Sequence, residues 1–188
     1  MNRDLSESSG YTLAGSMTRD LTFSKVWLIS EIEKIQQSFS TIYILGSWYA
    51  NMSLYIKLAS NIQADKIINV ETNDEFITTG NKLLDLAGVS DNIASMKKDA
   101  NKLNYQQLGQ NGLIINTSLN DISGEDWFKR IPRGTLVALQ ARNNSSVIEY
   151  KRTEDIIKKF PLKVLYSGSV DLEDPETEYT RFMVIGIK

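Results

Sequence analysis

"LKVLYSGSVDLEDPETEYTRFMVIGIK", Leu162 to Lys188, holds two strand-like runs joined by a very short link. Both runs are rich in β-branched, aromatic and other apolar residues, and only "EDPET", Glu173 to Thr177, separates them. Parallel neighbours in a sheet need a crossover of about a dozen residues or more, usually including a helix. The two runs must therefore pair antiparallel or lie apart. A terminal hairpin of this kind sets the chain apart from a dinucleotide-binding sheet, whose core is all parallel.

Upstream of the hairpin the pattern alternates. From Thr18, "TRDLTFSKVWLISEIEKIQQSF" puts Val26, Ile29, Ile32, Ile35 and Phe39 at helical spacing. "TIYILG" and "DKIINVE" follow as short apolar runs of the kind buried in parallel sheets, with a helix between them. "NDEFITTGNKLLDLAGV" predicts a helix capped by Asn73 and stopped at Gly88. A weak strand, "NIASMK", leads into the polar "KDANKLNYQQLGQN". Then come the strand "GLIINT", a short serine-capped helix in "SGEDWFKRI", the strand "GTLVALQAR", and the helix "TEDIIKKF" capped by Thr153. This alternation predicts a layered α/β domain over residues 18–188, preceded by a polar leader or flap over 1–17.

Composition narrows the chemistry. At 188 residues and 41% hydrophobic content the chain can build one domain with a substantial core. There is no cysteine and no histidine, which removes disulfides, thiolate nucleophiles, zinc-finger sites and imidazole acid–base catalysis together; no metal site is expected. The net charge of -2 gives no global pull toward nucleic acid, although Lys97, Lys98, Lys102, Lys129, Arg130 and Arg133 leave a local basic face open. The N-terminus lacks an apolar signal core and no run reaches membrane-spanning length, so a soluble, cytoplasmic protein is expected.

The turn after the first strand, "ILGSWYAN", has one glycine, Gly46, where a dinucleotide site has three, and a large indole, Trp48, in the gap. Together with "NVETND", "KKDANKLNY" and "IINTSLNDI" it falls in the order used by class I S-adenosylmethionine-dependent methyltransferases, which the chain resembles from about Thr41 to Lys188. "INTS", "RIPRGTLVALQARNN" and "RFMVIGIK" look like a small bacterial and phage-type subgroup of such proteins. The resemblance implies a Rossmann-like methyltransferase sheet of seven strands, mostly parallel, built from five βα units and a C-terminal antiparallel hairpin whose last strand lies between the fifth and sixth. The implied function is methyl transfer to a small molecule or to an exposed group of a larger partner. A non-catalytic, regulatory protein with the same fold, or another transferase using the same cofactor, stands beside it.

The resemblance also distributes roles. Gly46, Ser47 and Trp48 would meet the methionine portion of S-adenosylmethionine, which has no pyrophosphate and tolerates side chains in the turn. Trp48 either faces the sulfonium or packs against the first helix. Glu71 would hold the ribose, while Asp99 and the Ala100 amide would hold adenine, with a helix cap as the alternative for Asp99. Asn116 and Thr117 stand where relatives orient a target amine, with Asn116 also counted among the cofactor-binding positions, or they simply shape the turn. The two prolines and the aromatic of that motif are missing, and Tyr49, Trp127 or Tyr11 would have to stack a nucleobase instead. Gln140, Arg142, Asn143 and Asn144 are candidates to line a substrate pocket. Ile44 replaces a common acid, so Glu7 or Asp20 is a candidate for the cofactor's amino group. The hairpin edge offers a surface for a second copy.

Overall fold

The computed structural model describes residues 12–105, 107–109, 111–145, 150–174 and 177–188. A 3-10 turn at Gly15–Met17 leads into α1 (Arg19–Ile35), β1 (Ser38–Leu45), α2 (Asn51–Ala59), β2 (Gln63–Glu71), α3 (Asp74–Leu86) and β3 (Ile93–Lys97). The second half runs through a 3-10 turn at Ala100–Lys102, then β4 (Gly112–Asn116), α4 (Asp126–Lys129), β5 (Leu136–Arg142), α5 (Thr153–Lys159), β6 (Lys163–Glu173) and β7 (Glu178–Ile187).

All seven strands join one sheet in the order β3-β2-β1-β4-β5-β7-β6. The first five pair in parallel, and β7 runs antiparallel to both β5 and β6. The short link between β6 and β7 makes that hairpin obligatory, as the sequence implies. Residues 12–17 pack onto the domain: Ser16 is buried and its carbonyl accepts from Asn51 Nδ2 at 3.0 Å.

Each face of the sheet has its own core. Ile42, Ile44, Leu113 and Ile115 pack with Leu28, Ile29 and Ile32 of α1 and with α2. Tyr43, Leu45, Ile114 and Val137 face the other way, toward Leu103, Trp127, Phe128 and Phe160. This is period-2 alternation with apolar residues on both faces, the signature of a sheet covered on both sides. No helix among the described residues is long and apolar enough to cross a membrane.

Several local expectations need correction. The connection after β3 holds only a 3-10 turn, so four βα units rather than five precede the hairpin. The first helix ends at Ile35, and Phe39 belongs to the buried face of β1. Val26 is 41% exposed; Ile29 and Ile32 are turned inward as expected, joined by Asp20, Ser24, Lys25 and Leu28. Neither short helix has the cap expected: Glu125 and Arg152 occupy the cap positions, and neither side chain caps its helix. Ser123 lies too far upstream, and its carbonyl accepts from Asn101 Nδ2 instead. Asn73 does cap α3, its Oδ1 accepting from the amides of Glu75 and Phe76.

Candidate functional site

The parallel strands β1 to β5 all end on one edge, at Leu45, Glu71, Lys97, Asn116 and Arg142, and β7 begins there. Strand order reverses between β1 and β4, the place where open α/β sheets bind ligands. The turn leaving β1 at this point is left-handed three times over, with φ of +61° at Gly46, +52° at Trp48 and +59° at Ala50. That conformation costs a non-glycine residue roughly 1–2 kcal/mol, so outside bonds must hold it. The Ser47 amide donates to the Val70 carbonyl at 3.1 Å, and the Trp48 amide donates to Glu71 Oε2 at 2.9 Å.

Gly46 has a second reason to lack a side chain. A Cβ there would lie 2.9 Å from Ser118 Cβ, and Ser118 Oγ donates to the Gly46 carbonyl at 3.2 Å. The close approach that the glycine permits is thus made by the loop after β4. Trp48 joins an aromatic group beside α3. Its ring stacks on Tyr49 at 5.8 Å and meets Phe76 of α3 edge-on at 6.2 Å. Gly80 lets α3 come this close, because a Cβ there would lie 2.9 Å from the Tyr49 carbonyl carbon.

Glu71 is the hub of the turn. Its Oε1 accepts from the Thr72 amide at 2.7 Å, the Thr72 hydroxyl at 3.3 Å and the Asn73 amide at 3.1 Å. A carboxylate offers about four lone-pair sites, so one site on Oε2 is left open among the described residues. Asp99 caps the 3-10 turn through the Asn101 amide at 2.9 Å, and Ala100 is buried beside it.

Asn116 is fully buried, and its Oδ1 accepts from the Ser118 amide at 2.9 Å. The carbonyl expected to receive a target amine therefore holds the turn, and Nδ2 is left without a partner among the described residues. The Thr117 carbonyl accepts from Arg181 Nη2 at 2.9 Å. Trp127 and Tyr49 are 0% and 3% exposed, so neither has an open ring face for a nucleobase. Tyr11 and Glu7 lie outside the described residues. Arg142 is clamped by Asn120, which accepts from its amide at 2.8 Å and donates to its carbonyl at 2.9 Å. Asn143 Oδ1 accepts from the Thr180 amide at 2.9 Å, and Asn144 is exposed.

No protein-family model matches the chain, and none of the curated proteins does. Solved structures do match it. An N-methyltransferase, NodS, from Bradyrhizobium japonicum superposes with a TM-score of 0.67 at 11% identity, over 92% of this chain and 99% of that one. The YcgJ protein of Bacillus subtilis gives 0.65 at 10% identity, over 89% and 98%. An S-adenosylmethionine-dependent methyltransferase from Clostridium acetobutylicum gives 0.60 at 14% identity, over 93% and 95%. The chain has the class I methyltransferase fold.

Within this methyltransferase fold, sequence reasoning missed a buried polar cluster where α1 crosses the carboxyl edge. Further along, α1 lays Leu28, Ile29 and Ile32 on the sheet; nearer its start, Asp20, Ser24 and Lys25 occupy the same stripe. They meet Gln140 on β5 and Tyr179 and Arg181 on β7. Ser24 Oγ donates to Gln140 Oε1 at 3.0 Å, and Gln140 Nε2 donates back to the Ser24 carbonyl at 3.0 Å. Tyr179 Oη donates to Asp20 Oδ2 at 2.6 Å, and Gln140 is fully buried. Burial pushes Lys25 down to about 7, helped by Arg181 and opposed by Asp20. Burial likewise lowers Arg181 to about 10 and raises Tyr179. Burial works against the Asp20 carboxylate, but hydrogen bonds, including that from Tyr179, hold its pKa below the ordinary value. The signal was present in the sequence: stepping back from Ile32 and Leu28 by three or four residues reaches Ser24 or Lys25, then Asp20.

Proposed function

We propose that the protein is an S-adenosylmethionine-dependent methyltransferase. The observation that carries this reading is the meeting of Gly46, Glu71, Asp99 and Asn116 on one sheet edge of this fold, with Glu71 tying the β1 turn to β2. The residues suit the group. Glu71 keeps one acceptor site for a ribose hydroxyl, Asp99 and the Ala100 amide border the adenine end, and the Gly46–Ser47–Trp48 turn borders the methionine end. The unpartnered Asn116 Nδ2 is a buried donor at the strand end facing that turn.

S-adenosylmethionine supplies an already activated methyl group on a sulfonium. The chain needs only to place an acceptor in line with it, a proximity effect that can be large without any imidazole. Asn116 donates to the acceptor or the cofactor, and Thr117, whose carbonyl is fixed by Arg181, sets the loop that shapes the acceptor side. Turnover belongs to a small molecule or to an exposed group of a larger partner, in the cytoplasm.

Calorimetry against S-adenosylmethionine, S-adenosylhomocysteine and NAD tests the reading: the sulfonium pair binds and NAD does not. Binding of NAD alone would overturn it. A second reading, a non-catalytic regulatory protein, draws on Ser118 lying against Gly46. Mass spectrometry of the freshly purified protein separates the two: co-purified S-adenosylhomocysteine marks turnover, and S-adenosylmethionine alone favours regulation. Co-purified methylthioadenosine would instead point to another transferase using the same cofactor.

A further inference from the structure

Two cations are buried at the carboxyl edge with no carboxylate paired to them. Arg181 is 6% exposed and Lys25 is 9% exposed, and no ion pair among the described residues includes either. Asp20, the neighbouring acid, accepts from Tyr179 and forms no ion pair with either cation. Arg181 spends Nη2 on the Thr117 carbonyl, and its Nε has no partner. Lys25 Nζ makes one long bond, 3.4 Å, to the Leu21 carbonyl of its own helix. An uncompensated charge and an unpaired donor are expensive to bury, and groups kept in that state usually have a ligand.

The charge count says which ligand. Lys25 and Arg181 against Asp20 leave one positive charge, and Arg142 and Asp121, which act on Arg181 with opposite signs and more strongly than Asp20 does, leave that balance unchanged. One negative charge completes the set, whereas a dianionic phosphate would overshoot it. Arginine Nε and a lysine ammonium both suit a carboxylate. We propose that Arg181 and Lys25 form a receptor for a single carboxylate group, brought by the methyl acceptor or by the amino-acid end of the cofactor. Only the choice between those two sources rests on the methyltransferase reading.

Lys25 is near half-neutral at pH 7 when the receptor is empty, with Arg181 on β7 opposing and Asp20 on α1 favouring its charged form. A bound carboxylate favours the charged form, so binding takes up a proton and weakens as pH rises above about 7. The test compares wild type, Lys25→Met and Arg181→Lys by calorimetry with S-adenosylhomocysteine and with methylthioadenosine, which lacks the amino-acid end. Melting shifts with sodium acetate against sodium chloride at equal ionic strength complete it.

If the cofactor brings the carboxylate, Lys25→Met weakens S-adenosylhomocysteine about ten- to a hundredfold and leaves methylthioadenosine unchanged. If the acceptor brings it, S-adenosylhomocysteine is unaffected and the acetate-specific shift is lost. In both cases the empty Lys25→Met protein melts higher than wild type, because it no longer buries an unpaired ammonium. Arg181→Lys keeps the charge and the fold and loses the Nε donor, so its binding falls part-way. An acetate shift that depends on Lys25, in a protein that binds no adenosyl ligand, would sink the methyltransferase reading and keep the receptor. Lys25→Met that keeps both wild-type S-adenosylhomocysteine binding and the acetate-specific shift, or that melts below wild type, overturns the receptor.

Discussion

The two halves of the sheet are scaffolded differently. Around β1, β2 and β3 the helices are 17, 9 and 13 residues long, whereas α4 and α5 beside the second half have 4 and 7. The first half positions its edge through long helices packed on the sheet, with the Glu71 carboxylate bracing the turn at Trp48. The second half positions its edge through loops tied by side chains, as Asn120 ties Arg142 and Arg181 ties Thr117. In the proposed reaction the first half holds a constant cofactor and the second holds the acceptor. Loops are where specificity can change without disturbing a scaffold.

Loops need an anchor, and the second half has one in Trp127, fully buried against Phe160 at 5.1 Å and Phe128 at 5.7 Å. Trp127→Ala should be the most damaging change, costing about 3–5 kcal/mol by chemical denaturation. A loss under 1 kcal/mol would mean that the short-helix half is not held by this cluster, and the contrast between halves would fail.

The next largest effect should fall on the first half. Glu71→Ala removes a carboxylate that accepts charge-assisted bonds from three backbone amides and, by the proposed function, from ribose. Affinity for S-adenosylhomocysteine should drop by about 1.5–3 kcal/mol, roughly ten- to a hundredfold. The melting temperature should fall too, since the left-handed turn loses its brace. Glu71→Gln should lie between, and exposed Glu154→Ala should do nothing. Unchanged affinity in Glu71→Ala would remove the ribose assignment.

How far the sequence could be read follows the same division. The hairpin was legible because a five-residue link excludes a crossover, whatever the side chains do. The strands were legible because burial on both faces writes continuous apolar runs. Trp48 was legible only as an anomaly: its partners Tyr49 and Phe76 come together through Gly80, a contact no local pattern encodes. The role of the Asn116 carbonyl stayed open in the sequence because an amide at a strand end serves a turn and a ligand equally well until its partner, here the Ser118 amide, is known. The buried Lys25 was missed because a lysine within a helix reads as solvated, and Val26 beside it was taken for the inward position.

The smallest of these effects sits where the two halves touch. Gly46→Ala carries two penalties: a left-handed φ of +61°, and a Cβ 2.9 Å from Ser118 Cβ. The first alone costs about 1–2 kcal/mol, and the second depends on whether the loop after β4 can withdraw. Ser118→Gly removes the obstruction and leaves the φ in place, so the double variant should recover part of the loss and no more. The coupling between the two changes, read from a double-mutant cycle of denaturation free energies, should be about 0.5–1 kcal/mol. Additive effects would mean that Ser118 moves away from Gly46 at no cost, leaving the turn open to a ligand. Substantial coupling would mean that the loop is seated firmly, and that a cofactor must displace Ser118 to reach the glycine. In that event the Ser118→Gly single variant should bind S-adenosylhomocysteine more tightly than wild type, and a weaker complex would show that Ser118 helps to hold the ligand.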